Sequence, residues 1–458
     1  MIPRKVDLTQ NQLFLDDRWI EDTQRLSRLW HRAEVYPEPV VRPDKPWEGA
    51  NLLMSGTVFK VGETWRMYYL TRGTATAPPA FCVAESDDGL HWQKPSLGLV
   101  EADGSRDNNI VFTEAFKCPS VCYEPDDTEA PYKLFYHGPS SKVPPGLYVA
   151  VSKDGLGWER LPGPIANTGE RTNAVLGRID GKYVVLSKAK EPDQYGGRCV
   201  VITMGGELRD FPEPQLIMKQ DLLDGFNTEI YGIVAFPYAD RYIGLLERYH
   251  GIPDLIDICL AWSDDLVSWE RPPQREAFIG PEYPWNKRWS SPASSPPIRN
   301  GNQLWFYFGG QSGAHGHSKP NAAPGYSAIG LATITVDRFA SLSSGFRAGK
   351  LVTKPMVWPG GDLAINASTS AALDGDPRLK DGEMRVEVQN AEGRSIAGFS
   401  GDESTLFKDN MPMRGFTDSA VLRWPGDRSM DELAGSSIRL VFHMRDCHLY
   451  SFRSTGPS

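Results

Sequence analysis

Four glutamates of this 458-residue chain stand where chemistry rather than architecture would use them: Glu48, Glu170, Glu229 and Glu247. Each belongs to a stretch that occurs once in a chain that otherwise repeats itself. Glu229 sits between Thr228 and Ile230-Tyr231, a semi-apolar setting of the kind that raises a carboxyl pKa and keeps a proton donor. Glu48 follows Trp47 and is its first-choice partner. Glu170, beside Arg171, is expected to be ionised, as a base or as an acceptor for a substrate hydroxyl. Glu247, flanked by Arg248 and His250, stands in reserve. Carboxyl groups pushed to different protonation states are what general acid–base chemistry requires.

The side chains expected to bind a substrate beside them are mixed in kind. They are the aromatics Trp47, Tyr231 and Trp289, the amides Asn51 and Asn173, and the bases Arg72, His137, Arg171, Lys188, Arg248 and His315. Flat aromatic faces stack on a sugar ring and charged or amide groups bond its hydroxyls, so the set fits a carbohydrate and suits a lipid or a hydride cofactor poorly. Arg171, Arg248 and Arg288 could also grip a uronate or sulfate, because a guanidinium binds oxyanions bidentately. His315-Gly316-His317 supplies two histidines without a third ligand, short of a zinc site. No metal and no cofactor is expected. Ser290, Ser291, Ser294 and Ser295 lack a Gly-x-Ser-x-Gly setting and are poor nucleophile candidates.

The elements that must position these residues are written as a repeat. An aromatic-rich strand recurs at 62–69, 131–136, 181–186, 240–245 and 302–307. Each copy is followed by an apolar strand ending in Ser-x-Asp-x-x-x-Trp or a relic of it, and the closing aromatics lie 66, 53, 58 and 70 residues apart. A period of that size with several strands per unit signals a radial repeat that closes on itself. Five units make a five-bladed β-propeller, with blades at roughly 50–97, 109–161, 170–217, 228–280 and 292–345. The repeated Asp and Trp read as turn and packing residues, which sets Asp87, Asp154 and Asp265 aside. The strand Leu13-Phe14-Leu15-Asp16-Asp17 is expected to complete the last blade and cover its edge. Inner-strand positions then face one mouth, among them Glu114, Lys117, Cys118, Trp285, Asn286 and Gln311 alongside the candidates above.

Beyond a Gly/Pro-rich spacer, Glu383-Met384-Arg385-Val386-Glu387-Val388 and Ser437–Met444 alternate polar and apolar residues, the mark of half-buried antiparallel strands. The expected organisation is all-β: a propeller over 1–354 followed by a C-terminal β-sandwich over 355–458. With a net charge of −9 and no basic run, a nucleic-acid backbone is not an expected partner. No segment approaches the roughly 20 apolar residues of a membrane span, so no membrane partner is expected either. The start, Met1-Ile2-Pro3-Arg4-Lys5-Val6-Asp7, turns polar where a signal peptide would be apolar, and six cysteines show no paired framework. The expected location is the cytoplasm, or outside the cell had a leader been removed.

Several of these segments carry a resemblance. Gly56-Thr57-Val58-Phe59-Lys60-Val61-Gly62 followed by Trp65-Arg66-Met67-Tyr68-Tyr69, Leu304-Trp305-Phe306-Tyr307-Phe308-Gly309-Gly310, Ile329-Gly330-Leu331-Ala332-Thr333 and the tail through His443–Phe452 look like bacterial proteins related to glycoside hydrolase family 32, and more distantly family 43. The likeness spans nearly the whole chain. It implies a five-bladed glycosidase fold with three inward carboxylates. Three hallmarks differ: Pro46-Trp47-Glu48-Gly49 stands where fructosidases carry Asn-Asp-Pro-Asn-Gly, Lys117-Cys118-Pro119 replaces Arg-Asp-Pro, and the Glu-Cys of blade 3 has no exact match. The function this implies is a glycoside hydrolase working through paired funnel carboxylates. The alternatives are a glycoside phosphorylase and a non-catalytic carbohydrate-binding propeller.

Overall fold

The computed structural model describes residues 6–54, 56–73, 79–113, 117–138, 144–174, 176–191, 195–314, 326–369, 382–407 and 419–457. The protein is all-β, and the described residues contain strands and short 3-10 turns but no α-helix. They divide into two compact units. The first holds Ala33–Ile298 and Trp305–Thr333; the second holds Arg4–Arg32, Arg299–Leu304 and Ile334–Ser458. The boundary expected after residue 354 therefore falls inside the second unit.

In the first unit each aromatic-rich segment becomes the long strand of an antiparallel group. Thr64–Thr71 pairs with Leu52–Leu53 and Val58–Val61 on one side and Phe81–Ser86 on the other. Tyr132–His137 lies between Lys117–Tyr123 and Leu147–Ser152. Lys182–Lys188 lies between Arg178–Ile179 and Val200–Gly205. Arg241–His250 lies between Thr228–Tyr238 and Leu255–Ser263. Gln303–Gln311 lies between Trp289–Pro292 and Ser327–Thr335. Strands covered on both faces read as nearly continuous apolar runs, which is why Met67-Tyr68-Tyr69-Leu70 and Leu134-Phe135-Tyr136 do not alternate. Neighbouring groups share cores: Tyr68 and Phe81 pack with Leu134 and Tyr148, and Phe135 and Val149 with Tyr183 and Val185. Val184 and Ile202 pack with Ile233 and Leu246. Trp65 and Tyr69 of the first group share a core with Trp305 and Tyr307 of the last.

The repeated Ser-x-Asp-x-x-x-Trp is a turn, as its residue types suggest. Ser86 Oγ accepts the Gly89 N–H at 2.9 Å, Asp88 Oδ1 accepts the Leu90 and His91 N–H groups at 2.8 Å, and Trp92 Nε1 donates to the Gly89 carbonyl at 3.0 Å. Ser152 and Asp154 repeat the backbone part of the pattern, and Ser263, Asp265 and Trp269 repeat it entirely. The first copy corrects the reading by one position, since Asp88 and not Asp87 is the turn residue.

The N-terminal segment serves differently from the expectation. Gln12–Leu13 pairs with Cys447–Ser454 near the C-terminus, in the second unit. The residues that extend the last group of the first unit are instead Glu34–Val35, paired with Ala332 and Thr333, and Val41, bridged to Ile329. The second unit is a β-sandwich of two sheets. One is built on Ser27–Trp30, Ala340–Ser344, Cys447–Ser454 and Leu363–Thr369; the other on Ile20–Gln24, Gly349–Thr353, Ser437–Arg445 and Glu383–Asn390. Their inner faces meet in one core that includes Trp358, Ile365, Met384, Val386, Phe442 and Phe452. Three N-terminal strands, Gln12–Leu13, Ile20–Gln24 and Ser27–Trp30, join these sheets, so the second unit is not one run of the chain.

Candidate functional site

Strand ends of the first unit converge on a cavity of about 430 Å³, within the usual range for small-molecule sites. Arg72 follows the strand Thr64–Thr71. Lys117 and Cys118 open the next group where its register slips, with Cys118 at φ 47°. Glu170 and Arg171 come just before the Asn173–Leu186 bridge, with Arg171 at φ 72°. Tyr231 stands at a register slip between Ile230 and Gly232. Trp289 and Ser291 come from Trp289–Pro292, and Gln311 ends its strand. Irregularities of this kind re-aim side chains out of the ladder, and bulges are favoured next to sites for that reason.

Glu170 carries the clearest electrostatic signature. Lys188 Nζ donates to Oε1 at 2.9 Å and Lys117 Nζ lies 3.1 Å from Oε2. Burial alone would raise this carboxyl, but Lys188 and Lys117 outweigh it and hold its pKa at about 2. The carboxylate is therefore ionised at neutral pH. Burial pushes Lys188 down in turn, against the pull of Glu170. The Lys188 ammonium also lies 3.8 Å from the centroid of the Tyr231 ring.

Behind this wall is a buried ion pair. The Arg171 Nε donates to Glu247 Oε2, and its Nη2 donates to Glu247 Oε1 at 2.6 Å and to Ser291 Oγ at 2.6 Å. Ser291 Oγ donates to Glu247 Oε1 at 2.5 Å. Glu247 is 1% exposed, and burial of Arg171 is outweighed by Glu247, so the guanidinium is held firmly charged. Gly232 makes room for the pair, because a Cβ there would stand 2.6 Å from Arg171 Cγ and 2.7 Å from Glu247 Oε2.

Of the residues expected from sequence, Arg72, Glu170, Arg171, Tyr231 and Trp289 line the cavity. Lys188 is one contact behind, through Glu170 and Tyr231. Glu247 is reached through Arg171 and Ser291, both of which line it. Glu229 pairs with Arg198 and accepts its backbone N–H at 3.0 Å, and the Arg198 guanidinium lies 5.6 Å from the Tyr231 ring centroid. His137 is half-buried opposite Lys117 in the register, its pKa pushed down by burial while Glu170 pulls the other way.

Others lie elsewhere. Glu48, fully buried, is not a lining residue: its Oε2 caps a 3-10 turn by accepting the Asp44 and Lys45 N–H groups at 2.9 and 3.0 Å. Tyr69 donates to its Oε1 at 2.6 Å and Lys94 lies 2.8 Å away, so both oxygens are committed. Trp47 donates to Asn109 Oδ1 at 3.0 Å, and Asn51 accepts from Ser327 Oγ at 3.2 Å. Asn173 is buried in its bridge. Arg248 makes two bonds, of 2.9 and 2.8 Å, to Asp257. Trp285 packs on Phe308 and donates to the Pro37 carbonyl at 3.0 Å. His315, His317 and Glu114 lie outside the described residues.

Lys117, Cys118 and Gln311 were expected at the mouth without a role, and Ser291 was considered only as a nucleophile. Arg198 and Asp257 carried no sequence signal, since each acts through a partner distant along the chain. Among the described residues no group of three or more His, Cys, Asp or Glu side chains is placed to hold a metal ion.

No protein-family model and no curated protein matches the chain. Solved structures similar to it include a β-1,2-mannobiose phosphorylase from Listeria innocua, 14% identical, with 67% of this chain and 97% of that chain covered and a TM-score of 0.48. A thermostable family-43 glycoside hydrolase is 14% identical over 68% of this chain and 95% of that chain, with a TM-score of 0.46. A glycosyl hydrolase from Bacteroides ovatus is also 14% identical, over 67% and 94%, with a TM-score of 0.46. Likeness at this level assigns no role to any residue here.

Proposed function

We propose that the first unit is a five-bladed propeller whose cavity binds a carbohydrate and cleaves a glycosidic bond, with Glu170 as the carboxylate that meets the substrate. The observation that carries the reading is the state of Glu170. It is the one carboxylate among the described residues lining the cavity, and two lysines keep it ionised there. An ionised carboxylate in such a cleft accepts hydrogen bonds from sugar hydroxyls and is ready as a nucleophile, while its low pKa makes it a poor proton acceptor. Tyr231 and Trp289 supply aromatic faces in the same wall, and Gln311 supplies an amide. Hydrolysis needs a second carboxyl group, and Glu247, held by Arg171 and one hydroxyl away through Ser291, reaches the cavity only through those two residues.

One observation favours transfer to phosphate as a second reading. With a single lining carboxylate amid several cations, an enzyme that used a bound oxyanion as nucleophile would need only one carboxyl of its own. A panel of aryl glycosides and oligosaccharides, run with and without inorganic phosphate, separates the readings. Release without phosphate, lost in Glu170→Gln, supports hydrolysis; release only with phosphate supports phosphorolysis. Sugar binding with no turnover under either condition overturns both and leaves a carbohydrate-binding protein.

A further inference from the structure

Buried amides elsewhere in the chain are bonded at both ends. Asn109 donates through Nδ2 to the Tyr69 hydroxyl and the Val83 carbonyl, both at 2.7 Å, and its Oδ1 accepts from Trp47 at 3.0 Å. Asn286 accepts the Tyr283 N–H at 2.8 Å and donates to the Gly280 carbonyl at 3.3 Å. Gln12 donates to the Asp7 carbonyl at 2.8 Å and accepts from Trp19 Nε1 at 3.1 Å. Gln311 breaks the pattern. It is 4% exposed and lines the cavity, yet its Oε1 is buried with no hydrogen-bond partner among the described residues. An amide taken out of water and left unbonded destabilises a fold, so its place in a cavity wall points to a partner that arrives with the ligand.

The backbone holds this amide in position. Gln311 ends its strand, its carbonyl accepts the Arg288 N–H at 3.1 Å, and the following Ser312 N–H donates to the Tyr326 carbonyl at 2.9 Å. Its register partner is Trp289, which lines the same cavity. Directly opposed residues of an antiparallel pair send their side chains to one face, with Cβ atoms about 5 Å apart. Indole and amide therefore stand side by side. A sugar ring lying against the indole turns its hydroxyls outward along its rim, towards a group placed as this amide is. Rotation about the last side-chain bond exchanges the two ends of the amide, so it can accept from a hydroxyl or donate to one.

We propose that Gln311 is a specificity-determining residue whose amide reads one free hydroxyl of a sugar ring lying against Trp289. The inference rests on the cavity being the carbohydrate site, and it narrows the class of ligand. The ring position facing Gln311 carries a hydroxyl, not hydrogen and not an O-methyl or O-acyl group. Without the hydroxyl the amide stays buried and unbonded in the complex. Capping it adds bulk and removes the proton that bonds Oε1.

The test is titration calorimetry on the full chain with the methyl glycosides of glucose, mannose, galactose, xylose and arabinose. The tightest binder is then compared with each of its monodeoxy analogues. Both series are run on the wild type and on Gln311→Met, which keeps the length of the side chain and removes its polar end. One deoxy position should weaken wild-type binding about tenfold, while Gln311→Met binds the parent sugar and that analogue equally. Gln311→Met should also melt no lower than the wild type, because the group it removes has no partner at Oε1 in the free protein. The inference is overturned if no deoxy analogue loses affinity for the wild type, a result that needs no variant. It is equally overturned if folded Gln311→Met keeps the wild-type affinities across the series. Sugar binding in either case leaves the carbohydrate reading of the cavity standing. If no methyl glycoside binds, that reading falls and this inference with it.

Discussion

Tyr307 donates its hydroxyl to the Gly89 carbonyl at 2.7 Å, and Tyr68 makes the same bond to the Gly155 carbonyl at 2.9 Å. Each tyrosine belongs to the long strand of one antiparallel group, and each glycine to the Ser-x-Asp turn of a neighbour. Tyr68 links the first group to the second, and Tyr307 links the last group back to the first. The same contact thus joins both consecutive groups and the two ends of the series. Tyr307→Phe should cost about 1 kcal/mol of stability, the net worth of one such bond. Gly89→Ala should cost more, because Gly89 has φ 76° and a Cβ would lie 2.7 Å from the Tyr307 hydroxyl. Denaturant midpoints of the two variants check both the sign and the order.

The buried pair of Arg171 and Glu247 is a positioning device with a stability consequence. Removing one partner strands the other charge, which typically costs about 3–5 kcal/mol. Glu247→Ala is expected in that range. Gly232→Ala should act in the same direction, since its Cβ would intrude on both side chains. Equilibrium unfolding of the two variants measures the loss directly; a change within 0.5 kcal/mol for Glu247→Ala would contradict the assignment.

Two groups give the stability a defined acid limb. Burial, aided by His448 and Arg338, pushes the His31 pKa from 6.5 down to about 4. The unfolded chain binds that proton first, so stability falls as pH drops from 6.5 towards 4. Glu170 is held at about 2 against 4.5 in its absence of partners, so its contribution is complete above 4.5 and is lost as pH falls from there to 2. Melting temperatures should therefore decline steadily below pH 6.5. His31→Gln should reduce the first part of the decline, to which His137 and His448, also pushed down by burial, contribute, and leave the second.

Cys118 is the one cysteine of the six that is not buried, and it lines the cavity. The thiols of Cys82, Cys122, Cys259 and Cys447 are in addition pushed up by burial, which makes them poor nucleophiles. Iodoacetamide at neutral pH should add a single carbamidomethyl group to the native protein. Mass spectrometry should place it on Cys118, and a bound sugar should slow the reaction. Modification spread over several cysteines would contradict this picture of the cavity wall.

Legibility in the sequence followed the range of the interactions involved. Turn chemistry and apolar strands are local, so the all-β class and the role of Asp154 and Asp265 could be read from short segments. The placement of Arg171, Tyr231 and Trp289 followed from their positions at the starts of inner strands. Glu48 was misleading because its neighbour Trp47 resembles a sugar platform, while the groups that commit its oxygens, Tyr69 and Lys94, lie far along the chain. The N-terminal segment failed for the same reason. Nothing in Gln12–Leu13 announces a partner at Ser451 and Phe452. Lys117 looked like a departure from a family motif, and only the fold shows it 3.1 Å from Glu170.

The central claim is that Glu170 acts on the substrate from this cavity. The most direct measurement is kcat/KM of Glu170→Gln against the wild-type chain on a glycoside that the wild type cleaves, with folding verified by circular dichroism. Loss of a carboxylate that acts in the transition state should lower kcat/KM about 100-fold or more, mainly through kcat. A folded Glu170→Gln that turns over its substrate within a few-fold of wild type would contradict it.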